Sequence, residues 1–166
     1  MVEIVALKDM LKCELECVSK TPFSIKKRYE LHAGKEIVGV LQHDELFGNL
    51  AHSETKYGKW SFDIEGVLES RIVMKEGNEI IAVQAKVSDD DGIIEFRNGR
   101  NYKWRHSKVT NDFSFSDKEK EIVRFSKNNG IITRLRIAIK ENIEQKELMQ
   151  LISFAWYILT INEKNR

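Results

Sequence analysis

Proline and cysteine are scarce in this sequence of 166 residues, which contains one proline, two cysteines and nine glycines. No stretch rich in proline, glycine and serine interrupts the chain, and no segment is of low complexity. Linkers between domains usually have such compositions. We therefore expect a single domain over residues 1–166, which is long enough to bury a sizeable core.

The two cysteines, Cys13 and Cys17, suit neither a disulfide nor a zinc site. If residues 12–18 form a strand, both side chains lie on one face, about 13 Å apart, which is too far for a disulfide. A CxxxC motif without a second pair of ligands is a poor zinc signal. We expect free thiols, a reducing compartment, no metal and no cofactor.

The sequence also lacks an excess of one charge. It has 27 lysines and arginines and 26 aspartates and glutamates, which gives a net charge of +1. Such a protein has no overall field that attracts nucleic acid or acidic lipid. Binding to a polyanion would require a local cluster of cations. We do not expect nucleic acid as a partner.

The N-terminal stretch MVEIVALKDMLK lacks a cationic segment followed by a continuous apolar run. That pattern marks secretory signals. We expect a cytoplasmic protein, with peripheral association at the membrane as a second hypothesis.

Between residues 28 and 140, aromatic and β-branched residues alternate with polar ones. Alternation with a period of two is typical of strands with one buried face. The pattern is clearest at Trp60, Phe62 and Ile64, at Ile94 and Phe96, at Tyr102 and Trp104, at Phe113 and Phe115, at Val123 and Phe125, and at Ile137 and Ile139.

Turn-forming residues separate these runs. Asn98-Gly99 is the strongest turn signal, because both residues tolerate the positive φ of a two-residue type I′ hairpin. We expect about ten to twelve short strands in an antiparallel sandwich or barrel. The other turns are predicted at Ala33-Gly34-Lys35, Glu76-Gly77-Asn78, Asp91-Gly92 and Asn129-Gly130.

The most apolar segment of the chain is Leu148–Ile161, and it has helical character. Asn142 is predicted to cap a helix, with Gln145 three residues later as its capping-box partner. Glu144 and Glu147 favour the positive end of the helix dipole. The polar residues of the apolar segment fall on one narrow stripe: Gln150, Ser153, Tyr157 and Thr160.

A helix that is apolar almost all round is buried in protein or in a membrane. Fourteen residues span about 21 Å, whereas a bilayer core requires about 30 Å. We therefore predict a core helix at about residues 143–161, enclosed by the protein itself. One sheet face cannot enclose a helix, but a closed barrel can. A helix docked on a partner or in a membrane is the alternative.

Many antiparallel strands followed by one apolar C-terminal helix resemble the tubby C-terminal-like superfamily, which includes tubby domains, LURP-one-related proteins and phospholipid scramblases. The stretch WSFDIEGVLESRIVMKEGNEIIAVQAK, residues 60–86, looks like the strand–turn–strand theme of these families. The resemblance covers about residues 28–162 and rests on layout. It implies a mainly β fold with a closed antiparallel barrel around the C-terminal helix. For tubby domains and scramblases it also implies phosphoinositide binding and membrane association.

The sharpest charge feature is the segment 97–108, which has five cations and no acid. If Tyr102 and Trp104 point inward, Lys103 and Arg105 point outward. Clustered cations hold phosphate through charge-assisted hydrogen bonds. With a second cluster at residues 26–28, the candidate anion-binding residues are Arg97, Arg100, Lys103, Arg105, Lys108, Lys26, Lys27 and Arg28. The alternative is a solvated outer face whose cations pair with neighbouring acids.

Three other features favour structural roles. The run Asp89-Asp90-Asp91-Gly92 lacks the alternating ligands of a calcium loop and suits a turn. The irregular segment 42–56 contains His43, His52 and several carboxylates, but no catalytic motif occurs there, so structural roles are favoured. If the protein is an enzyme, this segment is the first place to look for its site. The three tryptophans are expected in the core, with Trp156 packed against one of the other two.

These observations predict a monomeric, non-enzymatic binding or scaffold domain that recognises anionic phospholipid headgroups through the face of Lys103 and Arg105. Three alternatives stay open. The protein could carry a small apolar ligand, attach to a membrane by its C-terminal helix, or be an enzyme with a site near His43.

Overall fold

The structure, a computed structural model, describes residues 3–7, 14–19, 28–44, 48–86, 90–128 and 134–164. These residues contain twelve strands and one helix. The strands are β1 (Glu14–Ser19), β2 (Arg28–Ala33), β3 (Glu36–His43), β4 (Ala51–Thr55), β5 (Gly58–Glu65), β6 (Arg71–Glu76), β7 (Glu79–Lys86), β8 (Asp91–Phe96), β9 (Asn101–His106), β10 (Asp112–Asp117), β11 (Lys120–Asn128) and β12 (Arg134–Ile139), and the helix is α1 (Gln145–Lys164).

Each strand from β2 to β11 pairs antiparallel with its two neighbours in sequence, and β1 pairs with both β2 and β12. The prediction of a mainly β fold with an antiparallel sheet and a C-terminal helix is confirmed. Because the strands alternate in direction, their connections alternate between two ends of the sheet. We call the end with the β2–β3, β4–β5, β6–β7, β8–β9 and β10–β11 turns the turn end, and the opposite one the loop end.

The predicted alternation of inward residues is confirmed. Every aromatic or aliphatic residue on which that prediction rested is buried, except Ile64, which is partly buried and packs against the core. All three tryptophans are buried. Trp156 does not meet another tryptophan in a ring contact. Its ring lies edge-on to Tyr29, with centroids 5.9 Å apart.

Helix α1 is buried on almost all sides, as predicted. From Leu148 to Ile161, every side chain is buried except Gln150, which is half-buried. Two buried hydroxyl groups of the stripe are hydrogen-bonded: the Tyr157 hydroxyl donates to the Asn49 carbonyl, and the Thr160 hydroxyl donates to the Tyr157 carbonyl at 2.9 Å. The helix therefore forms part of the hydrophobic core together with the inward side chains of the strands.

The predicted helix start is wrong by two residues. The carboxylate of Glu144 accepts hydrogen bonds from the amides of Lys146 and Glu147, both at 3.1 Å, so Glu144 caps the helix instead of Asn142. Gln145 is not a capping-box partner, because its side-chain oxygen accepts a hydrogen bond from the Tyr57 hydroxyl at 2.7 Å.

Two turn predictions also need correction. At the β8–β9 turn only Gly99 has a positive φ, 89°. Its amide donates to the Phe96 carbonyl at 3.0 Å, and the Phe96 amide donates to the Arg100 carbonyl at 2.8 Å. This is a type I turn with a bulge at glycine, not a type I′ turn. Asp91-Gly92 lies inside β8, and Asn129-Gly130 lies outside the described residues.

The N-terminal segment adds a contact that the sequence did not predict. Ile4 forms an isolated parallel bridge with Ile37, and the Val5 amide donates to the Ile37 carbonyl at 2.9 Å. Leu7 is buried in the main core. Residues 3–7 therefore pack on the start of β3.

The helix has a fixed direction within the sheet. Glu147, in its first turn, contacts Arg100 at the turn end. Tyr157 and Thr160 contact Asn49 and His43 at the loop end. The outer surface of the strands is thus the part of the molecule that is left for contacts with other molecules.

Candidate anion-binding site

A groove of about 360 Å³ crosses the outer surface of β8, β9 and β10. Lys103 and Arg105 lie two residues apart on β9, so their side chains share the outer face, and both are exposed. On β10 they stand opposite Ser116 and Ser114. Lys118 and Glu119, in the β10–β11 turn, line one end of the groove.

The groove cations are available to a ligand. Neither Lys103 nor Arg105 nor Lys118 forms an ion pair with any residue that the structure describes. Asp91 also lines the groove, opposite Arg105 on β8. The arrangement therefore combines three cations, two serine hydroxyls and two carboxylates, which is a set suited to a phosphate group that carries further hydroxyl groups.

The other described cations of the predicted patch are paired with acids. Each lies within ion-pair distance of a described carboxylate. The pairs are Arg97 with Glu79 at 2.6 Å, Arg100 with Glu147 at 2.8 Å, Lys108 with Asp90 at 2.8 Å, and Arg28 with Glu30 at 3.5 Å. The hydrogen bond from Lys108 lowers the pKa of Asp90. For these four cations the structure agrees with the alternative interpretation of a charge-paired outer face.

The second basic cluster is residues 26–28, of which the structure describes only Arg28, and Arg28 does not lie in the groove. Arg28 lies on β2, which is separated from β10 by β1, β12 and β11 in the sheet order. Lys26 and Lys27 lie outside the described residues. The cations that the structure brings together are Lys103, Arg105 and Lys118.

Lys118 and the two serines were not predicted as site residues. The serines had a usable signal, since the inward alternation of Phe113 and Phe115 places Ser114 and Ser116 on the outer face. Lys118 had no such signal in the sequence. It lies in the β10–β11 turn with a φ of 54°, and the direction of its side chain depends on how β10 and β11 pair.

The segment 42–56, the least regular in sequence, contains regular strands. β3 continues to His43 and β4 begins at Ala51. β4 escaped detection because its inward residues are small or polar: Ala51, Ser53 and Thr55.

The two histidines of that segment do not form one site. His43 is buried, its Nε2 is 2.7 Å from the Thr160 hydroxyl oxygen, and its ring stacks on Tyr157. His52 is exposed on the outer face. Since the two imidazoles lie on opposite sides of the sheet, they cannot act on the same substrate atom.

Metal binding finds no support in the described part of the chain, where no group of three His, Cys, Asp or Glu side chains is placed to hold an ion. Asp90 contacts His106 and Lys108 instead. Asp89 and Cys13 lie outside the described residues.

A second outer groove, of about 370 Å³, crosses β3, β4 and β5. Its one lysine, Lys59, forms an ion pair with Glu54 at 3.5 Å. An anion would have to displace that carboxylate. The groove on β8–β10 is therefore the better anion site.

Comparisons with known proteins give no family for this chain. No family model matches the sequence, and no curated protein and no solved structure matches it. The tubby-like layout accordingly stays a prediction. A further property bears on membrane attachment: among the described residues, no helix has both the length and the hydropathy to cross a bilayer.

Proposed function

We propose that this protein is a non-enzymatic binding domain that recognises anionic phospholipid headgroups in the groove of Lys103, Arg105 and Lys118. One observation carries the proposal. Lys103 and Arg105 are exposed side by side without a carboxylate partner among the described residues, whereas Arg97, Arg100 and Lys108 of the same segment are all paired.

The proposed scaffold is a tubby-like barrel, closed around α1. Support comes from the pairing of β1 with β2 on one side and β12 on the other, and from the burial of the helix. A helix that serves as the core cannot also serve as a membrane anchor. In this proposal the protein acts as a monomer, resides in the cytoplasm and binds the membrane surface reversibly.

The chemistry of the groove suits a headgroup. A guanidinium and two ammonium groups supply charge-assisted hydrogen bonds to phosphate oxygens. The hydroxyls of Ser114 and Ser116 add neutral donors, and the carboxylates of Asp91 and Glu119 accept hydrogen bonds from headgroup hydroxyls. Because these charges are exposed, ionic strength weakens the attraction.

The test is co-sedimentation of the full chain with vesicles of neutral lipid, with and without phosphatidylserine or a phosphorylated phosphatidylinositol. We expect binding that requires the anionic lipid and weakens between low and near-physiological salt. The K103E/R105E variant is expected to lose at least about tenfold in affinity, because two attractive charges become repulsive.

The matched control is K35E/K140E, which makes the same charge change at two exposed lysines away from the groove. We expect it to bind like the wild type. Unchanged binding of K103E/R105E, with an unaltered unfolding transition, would remove the groove from the function.

A further inference from the structure

The outer groove on β8, β9 and β10 contains two rows of side chains that differ in charge. The row nearer the loop end, which we call the loop-end row, consists of Asp91, Arg105 and Ser114, and these lie opposite one another on the three strands. Neighbouring strands lie about 5 Å apart, so a carboxylate and a hydroxyl flank the guanidinium of Arg105. The charges of this row cancel.

The second row, which we call the turn-end row, lies about 7 Å further along the strands. Lys103 stands there opposite Ile93 of β8 and Ser116 of β10. Lys118 and Glu119 of the β10–β11 turn line the groove beyond it. This part of the groove has two ammonium groups, one hydroxyl and one carboxylate, so it carries the net positive charge of the site.

The two rows suit different chemical groups. An arginine holds a planar carboxylate through two parallel hydrogen bonds, whereas a lysine acts on phosphate as a point charge. Beside Arg105, the carboxylate of Asp91 repels a second anion and attracts an ammonium group. A carboxylate has about four acceptor sites, so Asp91 can serve a ligand and the protein together. The loop-end row therefore matches a carboxylate next to an ammonium, and the turn-end row matches a phosphate.

The total charge of the groove also limits the ligand. Three cations and two carboxylates line it, which leaves one excess positive charge. A headgroup with one phosphodiester, one carboxylate and one ammonium has one excess negative charge, and each of its groups finds an opposite charge in the groove. A headgroup with several phosphate monoesters would place further negative charge beside Asp91 and Glu119, which is unfavourable.

We propose that the groove is selective for the phosphoserine headgroup, with the phosphodiester on the turn-end row, the carboxylate on Arg105 and the ammonium on Asp91. This inference rests on the proposed recognition of anionic headgroups and narrows it to one chemical class. The same chemistry occurs in phosphatidylserine and in soluble phosphoserine compounds with free amino and carboxyl groups. A phosphorylated serine within a polypeptide lacks both groups, because they form peptide bonds.

The first measurement compares vesicles of equal charge. The full chain is titrated with phosphatidylcholine vesicles that contain the same fraction of phosphatidylserine, phosphatidylglycerol or phosphatidylinositol, each of which has one net negative charge. We expect at least about fivefold tighter binding to phosphatidylserine, because only its headgroup offers an ammonium and a carboxylate to the loop-end row. Equal affinities for the three lipids would overturn the inference and leave recognition of anionic headgroups in place.

Two variants test the loop-end row. D91N is expected to bind phosphatidylserine and phosphatidylglycerol equally, because the ammonium loses its carboxylate partner. R105K keeps the charge but loses the two parallel hydrogen bonds, so we expect a smaller preference for phosphatidylserine and unchanged binding to phosphatidylglycerol. E95Q is the matched control, since Glu95 is exposed on the outer face of β8 four residues from Asp91, and it should keep the full preference. A full preference in both D91N and R105K would overturn the inference.

Glycerophosphoserine, which is the headgroup without acyl chains, distinguishes a lipid from a soluble ligand. We expect it to displace the protein from phosphatidylserine vesicles at a lower concentration than glycerophosphoglycerol does. Binding of glycerophosphoserine by a protein that binds none of the vesicles would support the headgroup assignment and overturn the proposed function at the membrane. If neither the vesicles nor glycerophosphoserine are bound, both proposals fail.

Discussion

Two ion pairs of nearly equal length show how burial determines the contribution of a residue to stability. Glu147 pairs with Arg100 at 2.8 Å and Glu79 pairs with Arg97 at 2.6 Å, but the Glu147 side chain is 6% exposed and that of Glu79 is 71% exposed. Glu147 also accepts hydrogen bonds from the Tyr102 hydroxyl at 3.1 Å and the Asn98 amide at 3.4 Å. It thereby fastens the start of α1 to the β8–β9 turn.

We predict that E147Q lowers the free energy of unfolding by about 1–2 kcal/mol, because a charged, buried acceptor is replaced by a neutral one. E79Q is the control, and its effect is expected to stay below about 1 kcal/mol, since exposed ion pairs contribute little. Urea denaturation of the two variants measures the difference. Equal effects would show that Glu147 is not a structural contact of the helix.

Tyr102 gives a prediction for alkaline pH. Burial, above all, raises its pKa from 10.0 to about 12, and burial also raises the pKa of Tyr157. A raised pKa means that the folded protein holds the phenolic proton more tightly than the unfolded chain does. The associated stability is fully present below pH 10 and is lost as pH rises from about 10 through about 12.

We expect the urea midpoint of the wild type to fall steeply over that interval. Y102F should show a shallower decline, with Tyr157 responsible for part of the remainder. Urea midpoints measured from pH 9 to pH 12 check this expectation. A pH dependence of Y102F as steep as that of the wild type would contradict it.

At the scale of elements, strands that carry large apolar residues on one face were predictable and the others were not. β9 and β10 stand out because Tyr102, Trp104, Phe113 and Phe115 alternate with polar residues. β4 was missed, since its buried face is made of Ala51 and two polar residues. The helix was predictable because a helical segment that is apolar on all sides must be buried.

The site was predictable only on β9, where the alternation of apolar and polar residues determines which side chains point outward. Because Tyr102 and Trp104 must point inward, Lys103 and Arg105 must point outward. Their neighbours depend on cross-strand register, which places Ser116 and Ser114 of β10 and Asp91 of β8 opposite them. The pairing of Lys108 with Asp90 joins two different connections of the sheet, which no pattern within one segment reveals.

At the scale of the whole molecule, the apolar C-terminal helix is a central part of the hydrophobic core. Phe154 and Tyr157 of α1 stack on Phe62 of β5, with ring centroids 5.9 and 5.0 Å apart. The same helix is tied to the turn end by Glu147 and to the loop end by Thr160. Sheet and helix should therefore fold together, and binding to other molecules falls to the outer surface of the strands.

The most direct test of this central claim is the urea unfolding of a chain that ends at Glu147, followed by circular dichroism. The deletion removes ten apolar side chains, worth about 1.5–3 kcal/mol each when buried, from a domain whose expected stability is about 5–15 kcal/mol. We predict that the truncated chain shows no cooperative transition. A truncated chain that unfolds cooperatively at the wild-type midpoint and is more soluble would show that the helix is an appendage of the sheet and not its core.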